Sequence, residues 1–139
     1  MYFLDTDTLT WAHAGQKKLV ERIKTIGQDN IATTVVTAIE VLRGRQEHLV
    51  KAGSGEQLLL AQQLLTRSEE LLKNIHVELI DRGAAQEFDR LRTNKGIKKI
   101  GRTDLLIASI VLAANGTLVT RNLKHFRFVP NLRLENWVD

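Results

Sequence analysis

The chain opens with MYFLDTDTLTW (residues 1–11), in which a short apolar run stops abruptly at two acids, Asp5 and Asp7. The run Tyr2–Leu4 suits a buried strand, and the polar residues after it suit the start of a helix. Turn chemistry explains an acid at such a junction, because aspartate caps helices and forms turns. A second explanation is that the strand carries an acid to a functional site.

Short strand-like runs alternate with helical runs along the rest of the chain. We predict strands at residues 1–4, 30–32, 76–80, 117–119 and 132–137. The predicted helices lie at 19–26 (starting near Thr8 or Gln16), 35–50, 56–73, 84–93 and 103–114, with a basic loop at 94–101 and a turn or short helix at 121–125. This alternation indicates an α/β domain with a mainly parallel sheet covered by helices on both faces. In such sheets, sites lie beyond the carboxyl ends of the strands.

Length and composition favour one domain that has no disulfide or thiolate metal site. The chain has 139 residues and no cysteine, so any metal must use oxygen or histidine ligands. The N-terminal run lacks a basic region and ends at Asp5, which argues against a signal peptide, and no apolar stretch approaches the ~20 residues that span a bilayer. We therefore expect a single domain over residues 1–139 in a cytoplasmic protein without membrane association. The net charge of +4 mildly favours polyanionic partners.

Three acids mark equivalent ends of the strand–helix units. Asp5 ends the first strand, Glu40 lies inside an apolar helix, and Asp104 opens a very apolar one. Each has an ordinary explanation. Asp5 could form a turn, Asp104 suits the dipole of its helix, and Glu40 could pair with Arg43 or turn to solvent. Asp81 is a useful control, because it also follows a strand and capping alone explains it.

If these acids converge, a divalent cation is needed to hold them together. Two carboxylates about 4 Å apart repel each other by about 4 kcal/mol gross at an effective dielectric of 20. Mg²⁺ and Mn²⁺ prefer carboxylate oxygens, activate water and stabilise charge on a phosphate. We predict that Asp5, Glu40 and Asp104 bind Mg²⁺ (or Mn²⁺), with Asp7 and Thr120 as secondary candidates.

Basic residues lie near these acids in the sequence. Each basic cluster could equally be a solvated face, but an acidic centre with a basic rim suits a metal-dependent enzyme that acts on a nucleic-acid backbone. The residues that we expect to contact RNA are Arg43, Lys98, Lys99, Arg102, Arg121 and Lys124. We expect His125 to position or pack against its neighbours rather than to bind metal.

Four short motifs, taken in order, resemble a PIN domain and are most similar to the VapC-type ribonuclease toxins. The motifs are LDTD (4–7), TAIEVLRG (37–44), GRTDLLIAS (101–109) and LVTRNLKHF (118–126). The resemblance covers nearly the whole chain. It implies a Rossmann-like three-layer α/β/α fold and Mg²⁺-dependent endoribonuclease activity. It also implies homodimerisation and neutralisation by a VapB-like antitoxin.

The same resemblance assigns roles to individual residues. Asp5, Glu40 and Asp104 match the acidic metal ligands of the family. The fourth acidic position falls on Asn122, which also follows a predicted strand and which we include in the catalytic set. An amide oxygen can ligate a cation but adds no negative charge. We therefore expect one metal ion in the resting enzyme, with any second ion arriving beside the RNA phosphate.

Three other interpretations stay open. The opening stretch also resembles the D-x-D-x-T start of haloacid-dehalogenase-like phosphatases, with Asp5 as nucleophile and Asp7 as acid/base. That chemistry needs a terminal acidic pair, and the only acids after Thr120 are Glu135 and Asp139. A PIN-like module could bind RNA or a partner without cleavage. A PIN nuclease could also act in RNA maturation or decay without an antitoxin.

The helix predicted at 56–73 carries more leucine than one core-facing stripe requires. The leucines are Leu58, Leu59, Leu60, Leu64, Leu65, Leu71 and Leu72. Excess apolar surface favours a partner, either a second copy or an antitoxin helix. The alternative is that neighbouring helices bury both sides.

Overall fold

A computed structural model describes residues 1–97 and 99–139, so the expected RNA contact Lys98 lies outside the described residues. Within the described part, one sheet contains β1 (Tyr2–Leu4), β2 (Ile31–Thr34), β3 (His76–Glu78), β4 (Thr117–Val119) and β5 (Arg133–Glu135). The strand order is β3-β2-β1-β4-β5, and every pairing is parallel. The predicted α/β fold with a parallel sheet is confirmed.

The helices between these strands are α1 (Thr6–His13), α2 (Lys17–Ile26), α3 (Val35–Val50), α4 (Gly55–Lys73), α5 (Arg82–Arg92), α6 (Arg102–Ala113) and α7 (Leu123–Phe126). They cover both faces of the sheet, as β1 itself shows. Phe3 packs into a core with residues of α5 and α6, whereas Leu4 packs into a second core with residues of α1, α2 and α3. Successive strand residues point to opposite faces, so these two cores make the three-layer arrangement.

The central strand β1 positions the functional edge of the sheet. The chain runs from β1 outward through β2 to β3, and then returns to β4 on the other side of β1. The residues that follow β1 and β4 are therefore neighbours at the point where the order of strands reverses. Open parallel sheets bind their ligands at such a point.

The structure decides between predicted boundaries and refines others. Of the two starts considered for the helix that ends at residue 26, the one near Gln16 is correct, because Gly15 adopts a φ of 81° and turns the chain between α1 and α2. The basic loop at 94–101 contains a short 3₁₀ turn, Lys95–Ile97, which buries Ile97 in the core. The helix α3 matches its predicted bounds, and the Thr34 hydroxyl caps it by accepting from the Thr37 amide at 3.1 Å.

The leucines at the two ends of α4 have different surroundings. Leu58, Leu59 and Leu60 are exposed, whereas Leu71 and Leu72 pack against the core on the Leu4 side of the sheet. Burial by neighbours thus explains the C-terminal part of the helix only. Within the described residues, no helix is both long and apolar enough to cross a membrane.

Candidate active site at the carboxyl ends of the strands

Asp5 is both a helix cap and a buried acid. It follows β1 and caps α1, with its Oδ1 accepting from the Thr8 amide at 2.9 Å. Its Oδ2 accepts from the Thr120 hydroxyl at 2.6 Å, and only 8% of the residue is exposed. Capping would be satisfied by an exposed acid, as it is at Asp81. The burial and the second hydrogen bond therefore call for a further explanation.

Thr120 connects Asp5 to Asn122. It directly follows β4, whose Val119 pairs with Leu4 in the sheet, and it is fully buried. While its hydroxyl donates to Asp5, the same oxygen accepts from the Asn122 amide at 2.9 Å. One hydroxyl thus fixes both the carboxylate at the end of β1 and the backbone after β4.

Asn122 connects in turn to Asp104 through His125. The Asn122 Nδ2 lies 2.7 Å from His125 Nδ1, and the same ring nitrogen lies 3.5 Å from Asp104 Oδ2. When Nδ1 carries a lone pair, it accepts a hydrogen bond from the Asn122 side-chain amide. When it carries a proton, it donates toward the Asp104 carboxylate. Asp104 is half-buried in the first turn of α6. His125 is exposed and lies between two predicted site residues, which fits the expectation that it positions its neighbours.

Glu40 joins the same set from the other side. It is half-buried on α3, and its Oε1 accepts from the Thr6 hydroxyl at 2.6 Å. Thr6 is bonded to Asp5 along the chain, so one peptide link and several hydrogen bonds connect Glu40 to Asp5 and Asp5, through Thr120, to Asn122, while His125 lies between Asn122 and Asp104. We refer to Glu40, Asp5, Asn122 and Asp104 together as the acid chain. Sequence reasoning missed Thr6, whose one visible signal is its place beside the capping acid. The Glu40 carboxylate therefore accepts a hydrogen bond from Thr6 and does not form the ion pair with Arg43 that the sequence offered as an explanation.

The donor atoms fit a hard cation, but their placement is not that of a closed metal cage. Within residues 1–97 and 99–139, no group of three or more Asp, Glu or His side chains is arranged to hold a metal ion. Thr6 engages Glu40, and His125 faces Asp104. Next to Asp5, the buried Thr8 Oγ1 has no hydrogen-bond partner among the described residues. Carboxylate and hydroxyl oxygens are nevertheless ligands that suit Mg²⁺ and Mn²⁺.

The environment of Asp5 makes its carboxyl harder to ionise than that of an exposed aspartate. Burial raises the pKa of the Asp5 carboxyl, and the charge of exposed Asp7 raises it slightly further. Hydrogen bonds from Thr120 and Thr8 oppose this shift without cancelling it. A nearby divalent cation would favour the ionised carboxylate, because opposite charges lower a carboxyl pKa.

The expected RNA contacts lie in different surroundings. Lys99 and Lys124 line a cavity together with His125. Arg121 forms an ion pair with Asp139 at 3.2 Å and lies over the Trp11 ring at 5.8 Å.

The two remaining arginines are exposed. Arg102 lies over the Phe88 ring at 5.3 Å, and Arg43 lies on α3. Lys99 and Lys124 thus share a cavity with His125, next to the acid chain, whereas the three arginines among the expected contacts do not line that cavity.

Comparison with known proteins gives a family match and several relatives. The PIN domain family matches residues 2–130. The chain is 52% identical over 66 residues to the ribonuclease VapC2 of Rickettsia felis, a match that covers 44% of this chain and 48% of that protein. It is 25% identical over 139 residues to the ribonuclease VapC1 of Haemophilus influenzae strain R2866, which covers 99% of this chain and 98% of the relative.

The fold also matches a solved VapBC structure. The crystal structure of VapBC2 from Rickettsia felis, bound to a DNA fragment from its promoter, aligns with a TM-score of 0.81 and 28% identity. That alignment covers 98% of both chains.

Proposed function

This chain belongs to the PIN domain family, and we propose that it is a divalent-metal-dependent endoribonuclease, the toxin of a VapBC-type toxin–antitoxin pair. The main support is the linked arrangement of Glu40, Asp5, Asn122 and Asp104 beyond the ends of β1, β2 and β4. The names of the relatives support ribonuclease rather than phosphatase chemistry.

The metal would be Mg²⁺ or Mn²⁺, held by the carboxylates of Asp5, Glu40 and Asp104. VapC-type PIN-domain ribonucleases generally depend on a divalent metal. A bound ion of this kind lowers the pKa of its water and stabilises charge on a phosphate. Asn122 contributes an uncharged oxygen, so the site has three fixed carboxylates rather than four. We therefore assign one ion to the resting enzyme.

The protein's own residues hold this acidic set in place. Thr120 fixes the buried Asp5 carboxylate, and Thr6 restrains Glu40. His125 faces Asp104, which keeps a proton carrier beside the acids. Lys99 and Lys124 supply positive charge next to His125, where an RNA backbone would approach.

Protein partners are the second part of the proposal. The exposed leucines at the start of α4, Leu58, Leu59 and Leu60, form an apolar surface that suits a second copy of the chain or a VapB-like antitoxin. The solved relative is a complex of toxin and antitoxin. We also propose that residues 1–139 act as one domain, because both cores share the strand β1.

Cleavage of RNA by the purified protein tests the function. We expect cutting with Mg²⁺ or Mn²⁺, no cutting with EDTA, and recovery when the metal is restored. Asp104→Asn should abolish cleavage while the fold survives, whereas Asp81→Asn, a matched change at an exposed helix cap, should cut at the wild-type rate.

Two results would contradict the proposal: cleavage that survives EDTA, or wild-type cleavage by Asp104→Asn. Because Asn122 replaces an acid, a non-catalytic RNA-binding module is the main alternative. RNA binding without cleavage under any metal condition would favour it. Growth arrest that is relieved only by the product of an adjacent reading frame would separate a toxin from a nuclease without an antitoxin.

A further inference from the structure

A cavity of about 640 Å³ lies beside the acid chain and shares His125 with it. Its walls come from the basic segment before α6 and from the segment that includes α7. Its described basic and aromatic lining residues are Lys95, Lys99, Lys124, His125, Arg127 and Phe128. A molecule bound in this cleft would therefore reach His125 and its neighbours Asn122 and Asp104.

The charge of the cleft is of one sign. Four of its described lining residues are lysine or arginine, and none of the described lining residues is an acid. Clefts lined by one sign of charge concentrate ligands of the opposite sign. A polyanion is the ligand that this charge pattern fits.

Phe128 gives the cleft a flat apolar surface. Its neighbours Phe126 and Val129 are buried in the core, yet Phe128 itself is 56% exposed. The Arg127 guanidinium lies 4.8 Å from the centroid of the Phe128 ring, over one of its faces. A ring that keeps this much exposure under one arginine cannot be covered on both faces. The buried Phe126 and Val129 anchor the backbone on either side of residues 127 and 128.

We propose that Phe128, together with Arg127, forms a stacking platform for one unpaired base of the RNA substrate. This proposal rests on the proposed ribonuclease function, and it specifies which part of the RNA binds in the cleft. Aromatic rings and arginine planes stack on bases of any sequence, while lysines hold the adjacent phosphates. An A-form duplex keeps its bases stacked inside, so the nucleotide bound here is single-stranded. A protein partner is less well matched, because the four cations among the described lining residues would surround Phe128.

Affinity for a short labelled single-stranded RNA, measured by fluorescence anisotropy in EDTA, tests the platform without cleavage. Phe128→Ala and Phe128→Leu should each weaken binding by roughly 5- to 150-fold, the range for loss of one base–aromatic stack. Phe128→Trp should bind within about twofold of wild type, since it keeps a π face. The control is Leu79→Ala, a change at a residue that is 66% exposed after β3, three strands away from β4.

Two further measurements separate stacking from charge and from structural damage. Removing single bases from the RNA in turn should identify one abasic position that weakens the wild type but not Phe128→Ala, because both changes delete the same contact. The salt dependence of binding should be unchanged in Phe128→Ala. It should fall by about 0.7 in log–log slope in Lys124→Ala, which loses one phosphate contact.

The inference is overturned if Phe128→Ala and Phe128→Leu bind RNA as the wild type does, or if no abasic position is coupled to residue 128. If the wild type cuts RNA but changes at residue 128 do not affect RNA binding, the stacking proposal is wrong and the ribonuclease function stands. Failure of the wild type either to bind or to cut RNA would remove both.

Discussion

Replacing Thr120 by valine removes one hydroxyl from the centre of the proposed site and changes little else. Valine has nearly the same shape as threonine, so the fully buried position stays filled. The Asp5 carboxylate loses its 2.6 Å donor, and the Asn122 amide loses its 2.9 Å acceptor. Thr120→Ser is the matched control, because it keeps the hydroxyl and loses one methyl group.

The expected loss of stability follows from these two bonds. A hydrogen bond to a charged group contributes about 1.5–3 kcal/mol, and an ordinary one about 0.5–1.5 kcal/mol. Asn122 is half-buried, so water can replace part of the second bond. We expect Thr120→Val to lower the free energy of unfolding by about 2–4 kcal/mol. With a urea slope near 2 kcal/mol/M, the midpoint should fall by about 1–2 M.

The pH dependence of the loss identifies the carboxylate as its origin. Burial already raises the pKa of Asp5, and the Thr120 hydrogen bond opposes that shift, so its removal raises the pKa further. Below an ordinary aspartate pKa of about 4, the carboxyl is protonated in the folded and unfolded states alike. As pH rises, the unfolded state ionises first, and stability falls until the folded state also ionises. The valine variant should therefore fall further behind the serine variant as pH increases.

Urea unfolding of both variants at pH 4 and pH 8 tests this reasoning. We expect a gap between Thr120→Val and Thr120→Ser that is clearly larger at pH 8. Equal stability at pH 8, or a gap that does not change with pH, would show that Thr120 does not stabilise an ionised Asp5.

Three other predictions concern the Asp5 carboxyl, the Asn122 side chain and the exposed leucines of α4. Asp5→Asn should remove the fall in stability with rising pH that the buried carboxyl causes, because asparagine can still cap the helix but carries no charge; Asp81→Asn, at an exposed cap, should change the stability little. Asn122→Asp should create or strengthen a second Mn²⁺ site, and calorimetry that finds two similar sites in the wild type without RNA would contradict our assignment. Leu59→Arg should disrupt self-association or antitoxin binding without unfolding the chain, and ultracentrifugation that finds a wild-type monomer with no affinity for an antitoxin would refute the interface.

The alternation of strand-like and helical runs was enough to predict the α/β fold, because the apolar pattern and the capping residues of most units indicate the same element. The helix α3 matched its predicted bounds, and Asp81 caps a helix as expected. The helix α1 was harder to recognise. It has eight residues, it begins immediately after β1, and its threonines are poor helix formers. Its stability comes from the Asp5 cap and from Leu9, which is buried in the core.

The acids could be predicted from their chemistry, but their partners could not. A carboxylate on an apolar helix or at a strand end is visible in a sequence. The Thr120–Asp5 bond joins residues 115 positions apart, and the Thr6–Glu40 bond joins residues 34 apart. Both depend on which strand lies beside β1 and on how α3 packs against α1. The identity of Asp5, Glu40 and Asp104 as metal ligands stays a prediction.

Titration of the purified protein with Mn²⁺ in a calorimeter, without RNA, tests the central claim that these acids form one metal site. We expect one Mn²⁺ per chain in the wild type, bound more weakly as the pH falls because protons compete with the cation for the Asp5 carboxylate. Asp104→Asn should weaken this binding at least tenfold, whereas Asp81→Asn should leave it unchanged. Absence of Mn²⁺ binding in the wild type, or equal binding by Asp104→Asn, would contradict the account.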